Sequence, residues 1–415
     1  MRVLMFGWEF PPHVTGGLGV ASAGLVGGLL EMGTEVVLVL PHHPFPADHP
    51  LLSIVDSGAT VGSEDKPHRE NFLLRLRRIP SLLRPYLTEA AYQETLMAAR
   101  ETGSTFRGHY GPDLAAEVLR YAEAAGRIAR RERFDVIHAH DWLTYLAGME
   151  ARRASGKPLA VHVHATEFDR SATGGDAFVR GTERLGVTTA DRVIAVSRYT
   201  ADIVAERYGV PRERLRVVHN AIDAREGVGT WEVGEQDPLV LFAGRITWQK
   251  GPRFFVDAAA LVAREIPNVR FAVAGSGDRL RPMMKSVTAL GLERHFLFTG
   301  FLPPAELDRL YARANVYVLP SVSEPFGLTA LEALRHGTPV IVSRNAGVSE
   351  VVRNVLRVDF GDTNDLASKI LSVLLFRPLS DALGTEGRIE VSRLSWKDAA
   401  AKCVDVYREM VEEER

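Results

Sequence analysis

Short apolar runs alternate along this chain with stretches whose apolar positions recur every three or four residues. Arg2 to Phe6, Glu35 to Leu40, Asp135 to His140, Leu159 to His164 and Ala190 to Ser197 have the length and apolar content of buried strands. Between them, Ala23, Leu25, Val26, Leu29 and Leu30 keep helical spacing, as does Asp113 to about Arg133. Over Arg225 to Pro238 the period is lost and three glycines appear, which marks a linker. The alternation then restarts with strands Leu239 to Ala243, Phe271 to Ala274, Phe296 to Thr299, Val316 to Leu319 and Pro339 to Val342. Helices run through Phe254, Phe255, Ala258, Leu261 and Val262, then Pro304 to Ala314, then Leu328 to Leu334. A last helix, Trp396 to Glu412, carries Ala400, Val404, Tyr407 and Val411 on one face. Strand, loop, helix, strand repeated in two halves predicts an α/β protein with two doubly wound domains. The expected division is 1–224, linker 225–238, 239–395, and a terminal helix 396–415.

From about 41 to 112 the pattern degrades, so this stretch reads as an insertion in the first domain. Within it, 72–87 mixes leucines with Arg75, Arg77, Arg78 and Arg84. It is expected to form an inserted helix packed on its own domain, or a basic peripheral contact for a membrane.

At 415 residues the chain exceeds one ordinary core, in keeping with two domains. A formal charge of −2 gives no general pull toward nucleic acid. The single cysteine, Cys403, excludes an internal disulfide and falls in the apolar stripe of the last helix. No apolar run approaches 18 residues, and Met1 to Gly7 is too short for a signal peptide, so a cytoplasmic protein is expected. Only seven of the 50 basic residues are lysine, which makes Lys250 inside a motif conspicuous.

The chemistry gathers at strand ends. Glu324 ends one strand and Glu332 follows eight residues on, in the helix opened by Phe326, Gly327, Leu328 and Thr329. Free N–H groups at such a helix start favour a phosphate. Arg245 and Lys250, five apart across a strand-to-helix turn after Gly244, can converge on one anion. Gly16 and Gly17 open the first helix, where backbone can approach a ligand. Gly275 and Gly277 alone are weak evidence for a nucleotide. His138 with His140, and His162 with His164, each share a strand face. They could ligate a metal, but no partners stand at common spacing, so one of each pair is expected to pack while the other faces the cleft.

The string Glu324-Pro-Phe-Gly-Leu-Thr-Ala-Leu-Glu332 resembles the E-x7-E motif of retaining GT-B glycosyltransferases, as in family 4 and the glycogen and starch synthases. Gly244-Arg245 and Lys250-Gly251 resemble that family's diphosphate-binding pair, and His140-Asp141-Trp142 its H-D-W string. Val14, where glycogen synthases usually have lysine, departs from the pattern and favours the broader family 4.

The resemblance implies two Rossmann-like domains facing across a cleft, with the last helix returning to the first. It implies transfer of a sugar, glucose first, from UDP- or ADP-glucose to an acceptor hydroxyl with retention, and without metal or other cofactor. An α-glucan is the first acceptor implied; a lipid, cell-surface polysaccharide or small sugar is the second. By this resemblance His164, with His162 as runner-up, lies against the donor sugar and Glu324 binds its hydroxyls. Glu332 binds the ribose, Arg245 and Lys250 the diphosphate, and Gly300-Phe301 the base. His140, Asp141 and Trp142 line the acceptor side. A nucleotide-sugar 2-epimerase shares the fold, but for it the first domain offers mainly Glu167 and Asp169 as acids; a non-catalytic nucleotide-sugar sensor is a third class, against which the intact Arg245, Lys250 and Glu324 argue.

Overall fold

The computed structural model describes residues 1–11, 16–41, 53–55, 74–78, 112–171, 175–222 and 237–413. The position of Val14 and the expected linker, but for its last two residues, lie outside them. Two parallel sheets form the frame. The first takes β1 (Arg2–Phe6), β2 (Glu35–Leu40), β3 (Ser53–Val55), β4 (Leu74–Arg78), β5 (Val136–His140), β6 (Leu159–Val163), β7 (Arg192–Ala195) and β8 (Leu215–Val217) in the order β3-β4-β2-β1-β5-β6-β7-β8. The second takes β9 (Leu239–Ala243), β10 (Arg270–Ala274), β11 (Phe296–Gly300), β12 (Val316–Leu319), β13 (Val340–Ser343) and β14 (Leu356–Val358) in the order β11-β10-β9-β12-β13-β14. These central strands are buried on both faces, which is why they read as continuous apolar runs.

The order fixes where ligands go. In each sheet the chain starts in the middle, runs out to one edge and returns to the other side of its first strand. The direction switches between β1 and β5, and between β9 and β12. A crevice opens at the carboxyl ends of strands at such a point. The loops leaving β1, β5, β9 and β12 carry Gly16-Gly17, Asp141, Arg245 with Lys250, and Glu324.

One expectation is corrected. Leu74–Arg78, read within an inserted helix, is a strand paired in parallel with β2, Val36 opposite Leu74 through Leu40 opposite Arg78. Leucine and arginine alternate there with a period of two, which is a strand signal and not a helical one. The remainder of 72–87 lies outside the described residues.

The terminal helix Trp396–Glu413 returns to the first sheet as expected and packs on Gly17–Glu31. Cys403 and Tyr407 are fully buried there, and Arg216 binds Glu409 at 2.7 Å. The close approach explains the glycines inside the first helix, each of which costs about 1 kcal/mol of propensity. A Cβ on Gly24 would lie 2.1 Å from the Trp396 ring, and one on Gly28 2.3 Å from the Trp396 carbonyl oxygen. Gly28→Val should therefore destabilise the protein by about 1–3 kcal/mol. Urea unfolding followed by fluorescence checks this, and an unchanged midpoint would remove the contact from its proposed role.

Candidate active site

The opening of the helix Leu328–Arg335 is built by Gly327, whose φ of +105° suits only glycine. This turn lets the chain reverse from β12 and aim the first helical amides at the crevice. A Cβ on Gly17 would sit 3.6 Å from Leu328 Cδ1, so the start of the helix Gly17–Glu31 faces the start of Leu328–Arg335 across the cleft. Each of these two helix starts carries partial positive charge.

Lys250 lies where the turn after β9 tightens before the helix Pro252–Glu265. Its ammonium donates to Glu324 Oε2 at 2.5 Å, and Ser321 Oγ donates to the same oxygen at 3.2 Å. Both partners of the ion pair are largely buried, with side chains 15% and 7% exposed. Lys250 thus turns inward. Burial raises the pKa of the Asp141 carboxyl on the other sheet; Arg170 and the amides of His164 and Ala165 work against it, and the charge of Arg245 opposes it weakly. Gly244 donates to Ala274 O at 2.9 Å and Gly275 to Gly300 O at 2.7 Å, which ties three strand-end turns together. Phe301 is exposed at their rim, and Phe326 is buried 6.2 Å from the His219 ring.

Glu332 sits one turn into its helix, closer to the start than its eight-residue spacing from Glu324 suggests. Tyr311 donates to its Oε2 at 3.0 Å, while burial raises its pKa. Thr329 Oγ1 accepts from Tyr317 at 2.8 Å.

On the first sheet, Asp141 is the one non-glycine among the described residues with positive φ, at +59°. Such strain persists where surrounding contacts over-determine it. Here Asp141 Oδ1 accepts from the amides of His164 and Ala165 at 2.9 and 3.4 Å, and Arg170 approaches Oδ2 at 3.6 Å. Asp141 therefore holds the end of β6 in place. Trp142 is buried against Phe178.

The four histidines form a stack. Register sets His140 opposite His162 on adjacent strands, with ring centroids 5.3 Å apart. His164 alone is partly open; His138, His140 and His162 are buried, so on β5 both members of the pair pack. Burial drives every ring to the neutral form, with His164 pushed down to about 3. Candidate ligand nitrogens of His138, His140 and His162 lie within 4.8 Å of one another. A tetrahedral zinc would hold them about 3.4 Å apart, with every lone pair aimed at one point. The rings of His138 and His162 are only 9° from parallel, and His138 Nδ1 already lies 2.6 Å from Tyr407 Oη. The four rings pack as a stack.

Several cleft residues escaped the sequence reading. Ser323 donates to Asp169 across the two halves and also meets Tyr199 Oη at 2.9 Å. Glu350 accepts from the amides of Arg198 and Tyr199 at 2.9 and 3.0 Å and binds His219 at 2.8 Å. The polar pair Ser321 and Ser323, between an apolar strand and Glu324, was the available signal. No helix among the described residues is long and apolar enough to cross a membrane.

Comparison with known proteins agrees with this geometry. Residues 229–390 match the family model described as glycosyl transferases group 1, and residues 84–226 match that of glycosyltransferase family 4. A D-inositol 3-phosphate glycosyltransferase of Nocardioides sp. is 32% identical over 71% of this chain and 70% of its own. The glycogen synthase of Mycobacterium tuberculosis is 28% identical over 98% of this chain and 94% of its own. Among solved structures, sucrose-phosphate synthase from Thermosynechococcus elongatus superposes with a TM-score of 0.71 at 22% identity, covering 99% of both chains. Anabaena HepE, solved with UDP and glucose, gives 0.65 at 17% identity over 99% of this chain and all of its own. With two switch-point crevices facing each other and family models matching both halves, the chain belongs to the family 4 glycosyltransferases of GT-B fold, enzymes that use nucleotide sugars.

Proposed function

We propose that this enzyme moves glucose from UDP- or ADP-glucose to an α-glucan hydroxyl with retention at the anomeric carbon and without a metal ion. The observation that carries the reading is the buried Lys250–Glu324 pair beside the glycine-opened helix start at Leu328. A departing nucleoside diphosphate develops negative charge, and fixed positive groups at that place lower the barrier. Arg245, Lys250 and the amides at Leu328 and Thr329 supply them, with Gly16 and Gly17 opposite. Glu324 takes donor-sugar hydroxyls and holds Lys250 at the leaving oxygen, Glu332 takes the ribose, and Gly275, Gly300 and Phe301 border the base. The departing phosphate oxygen accepts the acceptor's proton, so no carboxylate nucleophile is needed. His140, Asp141 and Trp142 shape the acceptor side from within, through His164 and the end of β6. The likeness to a mycobacterial glycogen synthase over nearly the whole chain supports the glucan acceptor.

A second reading, a small polyol phosphate acceptor, is favoured by the likeness to a D-inositol 3-phosphate glycosyltransferase. A lipid or cell-surface polysaccharide acceptor, met through the basic segment near 72–87, is a third.

The test incubates the protein with UDP-, ADP- and GDP-sugars, with and without maltooligosaccharide or inositol phosphate, in the presence and absence of chelator. Nucleotide release and product size are followed. Glucan elongation unaffected by chelator is expected. Transfer only to inositol phosphate would replace the acceptor, and release of a free 2-epimer would replace the reaction. Binding without turnover would make the protein a sensor.

A further inference from the structure

We infer that His140 fixes the tautomer of His164, so that His164 presents an N–H and not a lone pair to the cleft. His140 Nδ1 and His164 Nε2 lie 2.9 Å apart, and a single proton is shared in that contact. Both rings are neutral at ordinary pH because burial disfavours the imidazolium, so each carries one N–H. Two arrangements satisfy the distance. If His164 donated from Nε2, His140 would have to carry its own proton on Nε2. That atom is buried and has no hydrogen-bond partner among the described residues. A buried N–H without an acceptor is among the rarest groups in folded proteins, whereas an under-used acceptor is tolerated more readily. The other arrangement has His140 donating from Nδ1, leaving its buried Nε2 as a bare acceptor. It avoids the orphaned donor and is the one the geometry selects.

The consequence falls on His164. Its Nε2 is occupied as an acceptor, so its proton sits on Nδ1, which makes no hydrogen bond among the described residues and belongs to the partly open end of the stack. His164 then donates to an oxygen of the bound sugar. It cannot take the acceptor's proton, since its free nitrogen has no lone pair in the ring plane. His140 is a positioning residue, buried behind His164, and touches no substrate. This deepens the reading of the site as a nucleotide-sugar transferase and rests on it for the functional arm only.

The experiment uses the full chain labelled with 15N-histidine, with two-bond proton–nitrogen correlations recorded near pH 7.5. The chain has 13 histidines, so the His164 signals are identified by their loss in His164→Gln. A protonated Nδ1 and bare Nε2 on His164 are expected, and the reverse overturns the proposal whatever the activity. Kinetics give the second arm. His140→Leu should lower kcat about 10- to 100-fold with donor KM little changed, and His140→Asn, which places an amide N–H where Nδ1–H stood, should recover most of that loss. Equal damage by both variants, each folded by circular dichroism, would overturn the positioning role. A correct tautomer in a protein that turns over no nucleotide sugar would sink the transferase reading and leave this one standing.

Discussion

Lys250→Ala should lower turnover at least about 100-fold, the worth of one preorganised transition-state donor. The leaving diphosphate gains charge as the glycosidic bond breaks, so a cation held at that point stabilises the transition state more than the bound donor. Donor KM should accordingly change much less than kcat. The structure adds a complication that a kinetic assay alone would miss. Lys250 is the ion-pair partner of a Glu324 side chain only 7% exposed, and removing one member of a buried pair costs about 3–5 kcal/mol. Lys250→Ala is therefore compared with Lys250→Ala/Glu324→Gln, in which no buried charge is left uncompensated. The double variant should recover most of the lost stability in urea unfolding while turnover stays low. A near-normal rate for Lys250→Ala, or activity that returns together with stability, would take the lysine out of catalysis.

Acidification should destabilise the first sheet strongly. Burial lowers the pKa of His138, His140, His162 and His164, whereas in the unfolded chain each titrates near 6.5. Below that pH the unfolded state takes up protons that the folded state refuses, so stability is full above about 6.5 and falls as pH drops. Each histidine removes on the order of 1 kcal/mol between pH 7.5 and 5.5, and all four act in the same direction. Glu183 works the other way. Burial pushes its carboxyl up to about 7, so the folded state takes that proton first. It returns about 2 kcal/mol over the same range. Asp141, Asp169 and Glu332, also raised by burial, act in the same direction as Glu183. The clean readout is a difference between variants. His162→Leu, which removes two buried nitrogens without partners, should flatten the pH dependence by on the order of 1 kcal/mol. Denaturant midpoints at the two pH values measure this, and an unaltered dependence would mean that His162 takes up its proton in the folded protein.

Local signals carried the sequence a long way. Apolar runs located most of the described central strands, and glycines marked the helix openings, because burial and backbone sterics act on neighbours in the chain. Glu324, Arg245 and Lys250 were legible for the same reason: each stands beside a strand end or helix start that its own neighbours define. The strand Leu74–Arg78 was missed because a period of two inside a weak, proline-broken stretch was weighed as a helix.

The sequence by itself determined two switch-point α/β halves and the charged groups at their openings, since those follow from residue type and short-range spacing. Only the tertiary structure decided that Lys250 pairs with Glu324, that Ser323 reaches Asp169, and that four histidines stack with His140 behind His164. Those contacts join residues 24 to 154 positions apart, or lie on strands whose register is set by packing across the sheet. No periodicity along the chain reports which strand lies beside which.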